Sequence, residues 1–487
     1  MAFGNPLTRW IYYHSPSRLR NVALSIYSRQ RGEKKFGAQF EENLAELQRK
    51  QWYSNDRLRV LQEEKIRRLI WQAQRFVPFY QRQFASLGIS ASQSCGRDGL
   101  AGVPLLEKTT VQSHASEFRS VLYAGTNSAE LIHTSGTTGK PIDILVASGY
   151  LKLEKAYLWL QRDWCGVRPG DRTAYFTGHP IIPLGTRRPP FWAYESSENR
   201  TFFSLQHISK DNLPAYAAEL VRINPLLVVG YPTAIYLMAL HLCDAGIVSV
   251  RPRGIFTASE TLFPHQRRTI EEAFGCKVLD LYGQSEYCGM IMQCELGSYH
   301  VQEDYGVVEL VAQNGWPAAF GEIGEIICTG LNNLAMPFIR YRTGDTAVPK
   351  AGLCGCRRGG ALVERITGRI EDIVVTPDGR LVSRLDFVFK EIAGVREAQL
   401  IQEARDYLRV RVVPNHQLAD ADRACILANL RERLGSQMRL ELETVESIPR
   451  LPNGKFRYVI SKVPLDFCGV RQTGEVLGVT QGEDKSL

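Results

Sequence analysis

Between Pro214 and Tyr282 the chain alternates without a break between two hydrophobic periods, and that alternation constrains the fold more than any other feature. AYAAELVRI and TAIYLMALHLCDAG carry apolar residues at helical spacing, and PHQRRTIEEAF opens on a proline, which suits a first helical turn. Between them LLVVG, GIFTA and KVLDLY are short apolar runs, the pattern of strands buried on both faces. Helix and strand in strict turn predict parallel sheets flanked by helices, hence an α/β fold.

The flanking sequence differs. VVELV, EIICTG and MPFIRYRTGD predict hairpin-connected strands of a small β region. After Gly368 the elements shorten: DIVVTPDGRLVS predicts a hairpin turning at Asp378 and Gly379, DFVFKEIAG a helix, YLRVRVV a strand, CILANLRERLG a helix and RLELETV a strand. These make a small mobile α+β unit. Over about 36–90, Leu58, Leu61, Ile66, Leu69, Ile70 and Ala73 recur at helical spacing, with Ser54 and Asn55 available as caps. The expected organisation is a large domain over 1–368 with a helical lead-in, a lid domain over 369–471, and a Gly-rich, polar, mobile tail over 472–487.

With 44% hydrophobic and 23% charged residues among 487, the chain has ample material for a core, which excludes a mostly disordered protein. No stretch approaches the roughly 20 apolar residues of a transmembrane helix. The opening MAFGNPLTRWIYYHSPSRLR is too interrupted by polar residues for an export signal. Eleven cysteines, an odd number, then suggest buried thiols or metal ligands in a reducing, cytoplasmic setting. The net charge of +8 lies in residues 1–125, which hold 19 Lys and Arg against 10 Asp and Glu. That excess is either a solvated helix face or a weak contact with an anionic membrane surface or a partner. With no nucleic-acid motif beside it, nucleic-acid binding is not expected.

The densest chemical signal is His133-Thr134-Ser135-Gly136-Thr137-Thr138-Gly139-Lys140-Pro141. Hydroxyls and backbone N–H groups so closely spaced suit a polyanion such as a triphosphate. Two residues separate Gly136 from Gly139, and Pro141 follows Lys140, so the run is not a P-loop. Further on come Tyr282-Gly283-Gln284-Ser285-Glu286, Tyr341-Arg342-Thr343-Gly344-Asp345, Gly368-Arg369-Ile370-Glu371-Asp372 and Pro452-Asn453-Gly454-Lys455. Glu286, after a predicted parallel strand, is a suitable oxygen ligand for Mg²⁺, and Asp345 a suitable acceptor for paired hydroxyls. Separately, Cys294 with His300 and Cys354 with Cys356 form two short-range pairs that suit a tetrahedral, structural Zn²⁺ site.

In this order the five motifs resemble the adenylate-forming superfamily of acyl-CoA ligases, adenylation domains and luciferases. The Cys/His set and the segment VPFYQRQF further resemble its phenylacetate-CoA ligase-like branch, which includes capsular-polysaccharide-biosynthesis members. The resemblance implies that Thr134 through Lys140 hold the phosphates of ATP, with Thr134 also catalytic. Ala258, Ser259, Glu260, Tyr282, Gly283 and Ser285 surround the nucleotide, Asp345 takes the ribose, and Arg369 contacts the nucleotide. Glu371 becomes the hinge, and Lys455 the cation that reaches the α-phosphate. One departure is Ile142, where the wider superfamily has a second lysine. For the acyl pocket the candidates are His179, Pro180, Trp192, Gly230, Tyr231 and Ala258. The implied reaction joins a carboxylic acid, aryl by family suggestion, to AMP with loss of pyrophosphate, then passes the acyl group to coenzyme A. Transfer to an amine or hydroxyl fits the same residues, and a non-catalytic binding homologue is a third reading, disfavoured because every motif is intact.

Overall fold

The computed structural model of the protein describes residues 6–32, 36–89, 96–123, 125–133, 142–178, 181–183, 185–369, 373–378, 381–382, 385–389, 392, 394–415, 417–450 and 456–463. Thr134 to Pro141, His179, Pro180, Ile370, Glu371, Asp372, Gly379 and Pro452 to Lys455 lie outside the described residues, as does the segment from 464 onward.

The alternating segment folds as its periods require. Strands Leu227–Gly230, Gly254–Ala258 and Val278–Gly283 run parallel, separated by helices Pro232–Asp244 and Pro264–Phe274. Strands Thr173–Thr177 and Arg200–Ser204 extend the parallel block, and Trp192–Glu195 closes its edge in antiparallel sense. Val228, Ile255 and Val278 pack with the helices Leu213–Ile223 and Pro232–Asp244 on one face. Their neighbours Leu227, Val229, Phe256 and Leu279 face the opposite way, into a core shared with helices Ala38–Lys50, Asn55–Phe76 and Ser148–Asp163. Burial of both sets, each side chain contributing roughly 1.5–3 kcal/mol, explains why these strands read as unbroken apolar runs.

The hairpin strands are continuous with this block. Met290–Gln293, Tyr299–Val301, Leu362–Arg369, Tyr341–Lys350, Gly324–Gly330 and Gly306–Val311 follow Val278–Gly283 in that lateral order, all antiparallel, completing a mixed sheet of twelve strands. The strand expected over MPFIRYRTGD begins only at Tyr341. Arg340 takes φ 50°, in the left-handed region that an extended strand does not contain. Its guanidinium, bonded to both oxygens of Glu309 at 2.9 and 3.1 Å, holds that bend.

The small C-terminal α/β domain carries a sheet ordered Arg439–Thr444, Tyr407–Pro414, Val395–Ala404, Val459–Ser461, covered by helix Asp420–Leu434. Leu400, Leu408, Val410, Ile426 and Leu430 form its core. The hairpin pairs Val374–Val375 with Leu381–Val382, and among the described residues of DFVFKEIAG the expected helix is a 3₁₀ turn, Leu385–Phe389. Strand Val395–Ala404 was hidden by its polar text, VREAQLIQEA, because Gln399 and Gln402 are buried and satisfied by backbone partners.

A polar network lies beneath the helical lead-in. Glu154 Oε2 accepts from the hydroxyls of Tyr150 and Tyr305 at 3.2 and 2.7 Å, and Tyr157 donates to Asp304 at 2.7 Å. Although the Glu154 residue is only half-buried, its carboxyl is enclosed by these rings, and burial pushes it up to about 7. An unfolded carboxyl ionises first, so this group favours folding most at acid pH, and its contribution is lost as pH rises through about 7. Glu154→Gln, whose amide oxygen can still accept both hydroxyls, should therefore be stabilising by roughly 1–3 kcal/mol at pH 8 and nearly neutral at pH 4. Thermal unfolding across that range checks it; an equal shift at both ends would refute it.

Candidate nucleotide site and metal centre

The described site residues gather at the carboxyl ends of the parallel strands, where open α/β sheets collect ligands. Ala258 ends one strand, and Ser259 then turns through φ 73°. Tyr282 and Gly283 end the next, with Gly283 and Ser285 exposed beyond it. Tyr231 caps helix Pro232–Asp244 nearby, its hydroxyl pushed up to about 12 by burial and by Glu260. Gly230, at the neighbouring strand end, has no room for a side chain: a Cβ there would sit 2.6 Å from Phe176 Cβ.

Asp345 is the centre of a bonded group. Tyr282 donates its hydroxyl to Oδ2 at 2.9 Å, and Arg369 Nε lies 3.0 Å from Oδ1. Arg369 also donates to the Thr343 carbonyl at 3.0 Å, while Thr343 Oγ1 accepts from the Asp345 N–H at 3.1 Å. Pairing across Asp345↔Arg369 in adjacent strands explains why two motifs 24 residues apart in sequence meet here. Gly344 sits between them at φ 72°, and a Cβ would press on Arg369 Nη1 at 3.3 Å. Tyr341 donates to Glu286 at 3.2 Å. Burial raises Glu286, and the Asp345 charge adds to this, whereas its own N–H, the Tyr341 hydroxyl and Arg369 oppose the rise. Glu286, Asp345 and Arg369 are thus electrostatically linked, and the carboxylate oxygens of Glu286 are of the type that suits a hard divalent cation.

Glu260 follows Ser259 and accepts two backbone hydrogen bonds. Its Oε2 accepts from the Thr233 N–H at 3.2 Å, in the first turn of helix Pro232–Asp244. Its Oε1 accepts from the Phe456 N–H at 2.8 Å. Both oxygens are thereby engaged, and the second bond reaches the C-terminal domain one residue after Lys455. Phe263 and Tyr458, with ring centroids 4.7 Å apart, reinforce that junction. Sequence reading overlooked Phe456 and Tyr458 as contributors, since a backbone donor and a ring contact leave no motif; Tyr341 stood within a motif, but its hydroxyl bond to Glu286 depends on how the strands are placed.

The four candidate zinc ligands come together. One ligand atom from each of Cys294, His300, Cys354 and Cys356 falls within 4.8 Å of the others. Cys294 and Cys354 sulfurs are 3.7 Å apart, and Cys356 Sγ lies 3.3 Å from His300 Nε2. His300 Nδ1 is 3.1 Å from the Gly359 carbonyl, which can only accept, so Nδ1 carries the proton and Nε2 keeps its lone pair toward the sulfurs. Backbone N–H groups of Cys356 and Arg358 point at Cys354 and Cys356 Sγ, both at 3.5 Å. Burial pushes the Cys294 thiol up to about 12. At Cys354 burial also raises the thiol, but hydrogen bonds from Ser298 and Cys356 outweigh it and hold it below its usual range. Three sulfurs and one imidazole with an oriented outer proton fit tetrahedral Zn²⁺. The nine cysteines among the described residues are all free; Cys243 and Cys425 are exposed. Among those residues no helix is long and apolar enough to cross a membrane.

Comparison with known proteins finds relatives over nearly the whole chain. Residues 374–462 match the CapK C-terminal domain family. Protein CapK of Staphylococcus aureus is 26% identical over 475 residues, covering 94% of this chain and 100% of the relative. A phenylacetate-coenzyme A ligase of Thermus thermophilus is 23% identical over 436 residues, 83% and 96% of the two chains. The fold is that of 2-hydroxyisobutyryl-CoA ligase in its postadenylation state: TM-score 0.69, 19% identity, 85% of this chain and 91% of that one. The same ligase in its thioesterification state, with coenzyme A, gives a TM-score of 0.51 at 20% identity over the same shares. Over nearly its whole length the chain is thus similar to the CapK and phenylacetate-CoA ligase-like branch of the adenylate-forming ligases, and its residues 374–462 match the C-terminal domain family of that branch.

Proposed function

We propose that the protein activates a carboxylic acid with ATP, releasing pyrophosphate and forming an acyl-adenylate, and then transfers the acyl group to the thiol of coenzyme A. The observation that carries this reading is the bonded group Tyr282–Asp345–Arg369 with Glu286 beside it, at the strand ends faced by the segment that follows Lys455. Asp345, paired with Arg369, accepts the ribose hydroxyls, and Tyr282 orients that side chain while presenting its ring to the base. Arg369 neutralises charge near the phosphates.

Attack of a carboxylate on a phosphate brings like charges together, so this chemistry rests on positioning and electrostatic stabilisation. Mg²⁺ held through Glu286 would supply charge neutralisation at the phosphates. The loop from Thr134 to Lys140 contributes hydroxyl and N–H donors, Lys455 places an ammonium at the α-phosphate, and Glu371 serves as the hinge. Tyr231, His179 and Ala258 border the acyl pocket. The zinc site has four protein ligands and no open position, so its role is structural. The branch resemblance supports a role in capsular polysaccharide biosynthesis, with an aryl or related acid as the proposed substrate.

Acid-dependent ATP/pyrophosphate exchange over a panel of carboxylic acids tests the first step. Exchange with at least one acid, followed by acyl-thioester formation when coenzyme A is added, is the expected result. Exchange without thioester, but with product from an amine or alcohol, would replace the second step. Absence of exchange with every acid would overturn the catalytic reading.

A further inference from the structure

The helices Pro6–His14 and Ser17–Gly32 have no part in the chemistry above, and their placement is informative. Arg20, Leu24 and Ser28, four residues apart, are buried on the side facing the edge strand Trp192–Glu195. Asn21 Oδ1 accepts from the Tyr194 N–H at 3.1 Å, Ser25 Oγ from the Ser196 N–H at 3.0 Å, and Tyr12 donates to the Ile181 carbonyl at 3.1 Å. These bonds fix which side of the hairpin looks outward. On that outer side Leu19, Val22 and Ile26 follow helical spacing and stay 59, 55 and 57% exposed. Trp10 and Ile11 of the adjoining helix are 59 and 50% exposed.

A helix lying on a sheet edge ordinarily turns polar groups to water. Here the apolar stripe faces out, with exposed Arg18 and Arg29 along its flank. Residues 1–32 contain five arginines, Arg9, Arg18, Arg20, Arg29 and Arg31, and no aspartate or glutamate. An apolar stripe of aliphatic residues with a tryptophan, set in a segment of one sign, complements a surface that is anionic outside and hydrocarbon just beneath. We propose that this helical hairpin docks in the plane of a bilayer interface containing anionic phospholipid. The inference is independent of the adenylation reading.

Co-sedimentation of the full chain with vesicles tests it. The chain should partition onto phosphatidylcholine vesicles carrying about one-third phosphatidylglycerol at least ~10-fold more than onto phosphatidylcholine alone, and salt should weaken the binding. Leu19→Glu/Val22→Glu/Ile26→Glu should abolish partition without changing thermal unfolding, and Arg18→Gln/Arg29→Gln should reduce it several-fold. Should the triple variant lower the melting temperature, Val22→Ser/Ile26→Ser supplies the same comparison with a milder change. The proposal is overturned if the unaltered chain ignores anionic vesicles, or if its binding survives loss of the stripe. It is also overturned if the stripe instead drives a concentration-dependent dimer, disrupted by the triple variant, with no affinity for vesicles.

Discussion

Lys455→Ala should reduce acid-dependent ATP/pyrophosphate exchange on the order of 10²–10³-fold, the usual cost of removing one preorganised donor from a developing oxyanion. Transfer of a supplied acyl-adenylate to coenzyme A should change by no more than several-fold. The asymmetry follows from the proposed role: an ammonium at the α-phosphate matters while charge builds there, and the thioester step breaks the acyl–phosphate bond after that charge has been settled. The bond from the Phe456 N–H to Glu260 ties the C-terminal domain to the strand ends where the candidate nucleotide-site residues gather. Single-turnover measurements of each half-reaction separate the cases. Equal losses in both would remove Lys455 from its assigned role.

Loss of the metal should be the largest stability effect. Purified protein should hold close to one equivalent of zinc, absent from Cys356→Ser, and the variant should be destabilised by about 4 kcal/mol or more, the class to which removal of a structural metal belongs. The reason is the structure around the ligands. Gly359 N–H donates to the Gln51 carbonyl at 3.0 Å and Gly360 N–H to Asn55 Oδ1 at 2.9 Å, so the loop that carries Cys354 and Cys356 also pins the turn between two helices of the lead-in. Arg358 adds a bond to Gln51 at 2.9 Å and lies over the rings of Trp52 and Trp164, 5.2 and 4.2 Å from their centroids. Chelation should therefore alter tryptophan fluorescence before global unfolding. Metal-free protein with unchanged melting and emission would show that the four residues serve another purpose.

Much of the fold was legible because burial on two faces leaves a plain trace. GIFTA and PHQRRTIEEAF coincide with Gly254–Ala258 and Pro264–Phe274, and Ser54 caps its helix by accepting from the Arg57 N–H at 3.3 Å. Legibility failed where partners distant in sequence supply what a local pattern cannot. Arg340 bends away from a strand because Glu309 waits for it, and Val395–Ala404 tolerates glutamines because backbone groups meet them. At the candidate site, residue types singled out Asp345, Glu286 and the Cys/His quartet, whose proposed chemistry needs those side chains. They did not reveal that Tyr282 and Arg369 share one carboxylate, which depends on strand register, nor that Glu260 is engaged by a main-chain donor.

Glu260 has a thermodynamic consequence. Its carboxyl is raised by burial and relieved by the N–H groups of Phe456 and Thr233. Any swing of the C-terminal domain that withdraws Phe456 leaves this acid with one donor fewer, to be made good by a proton or by incoming water. Where that donor is replaced by a proton, lower pH favours the withdrawn arrangement, even though Glu260 takes no part in bond making.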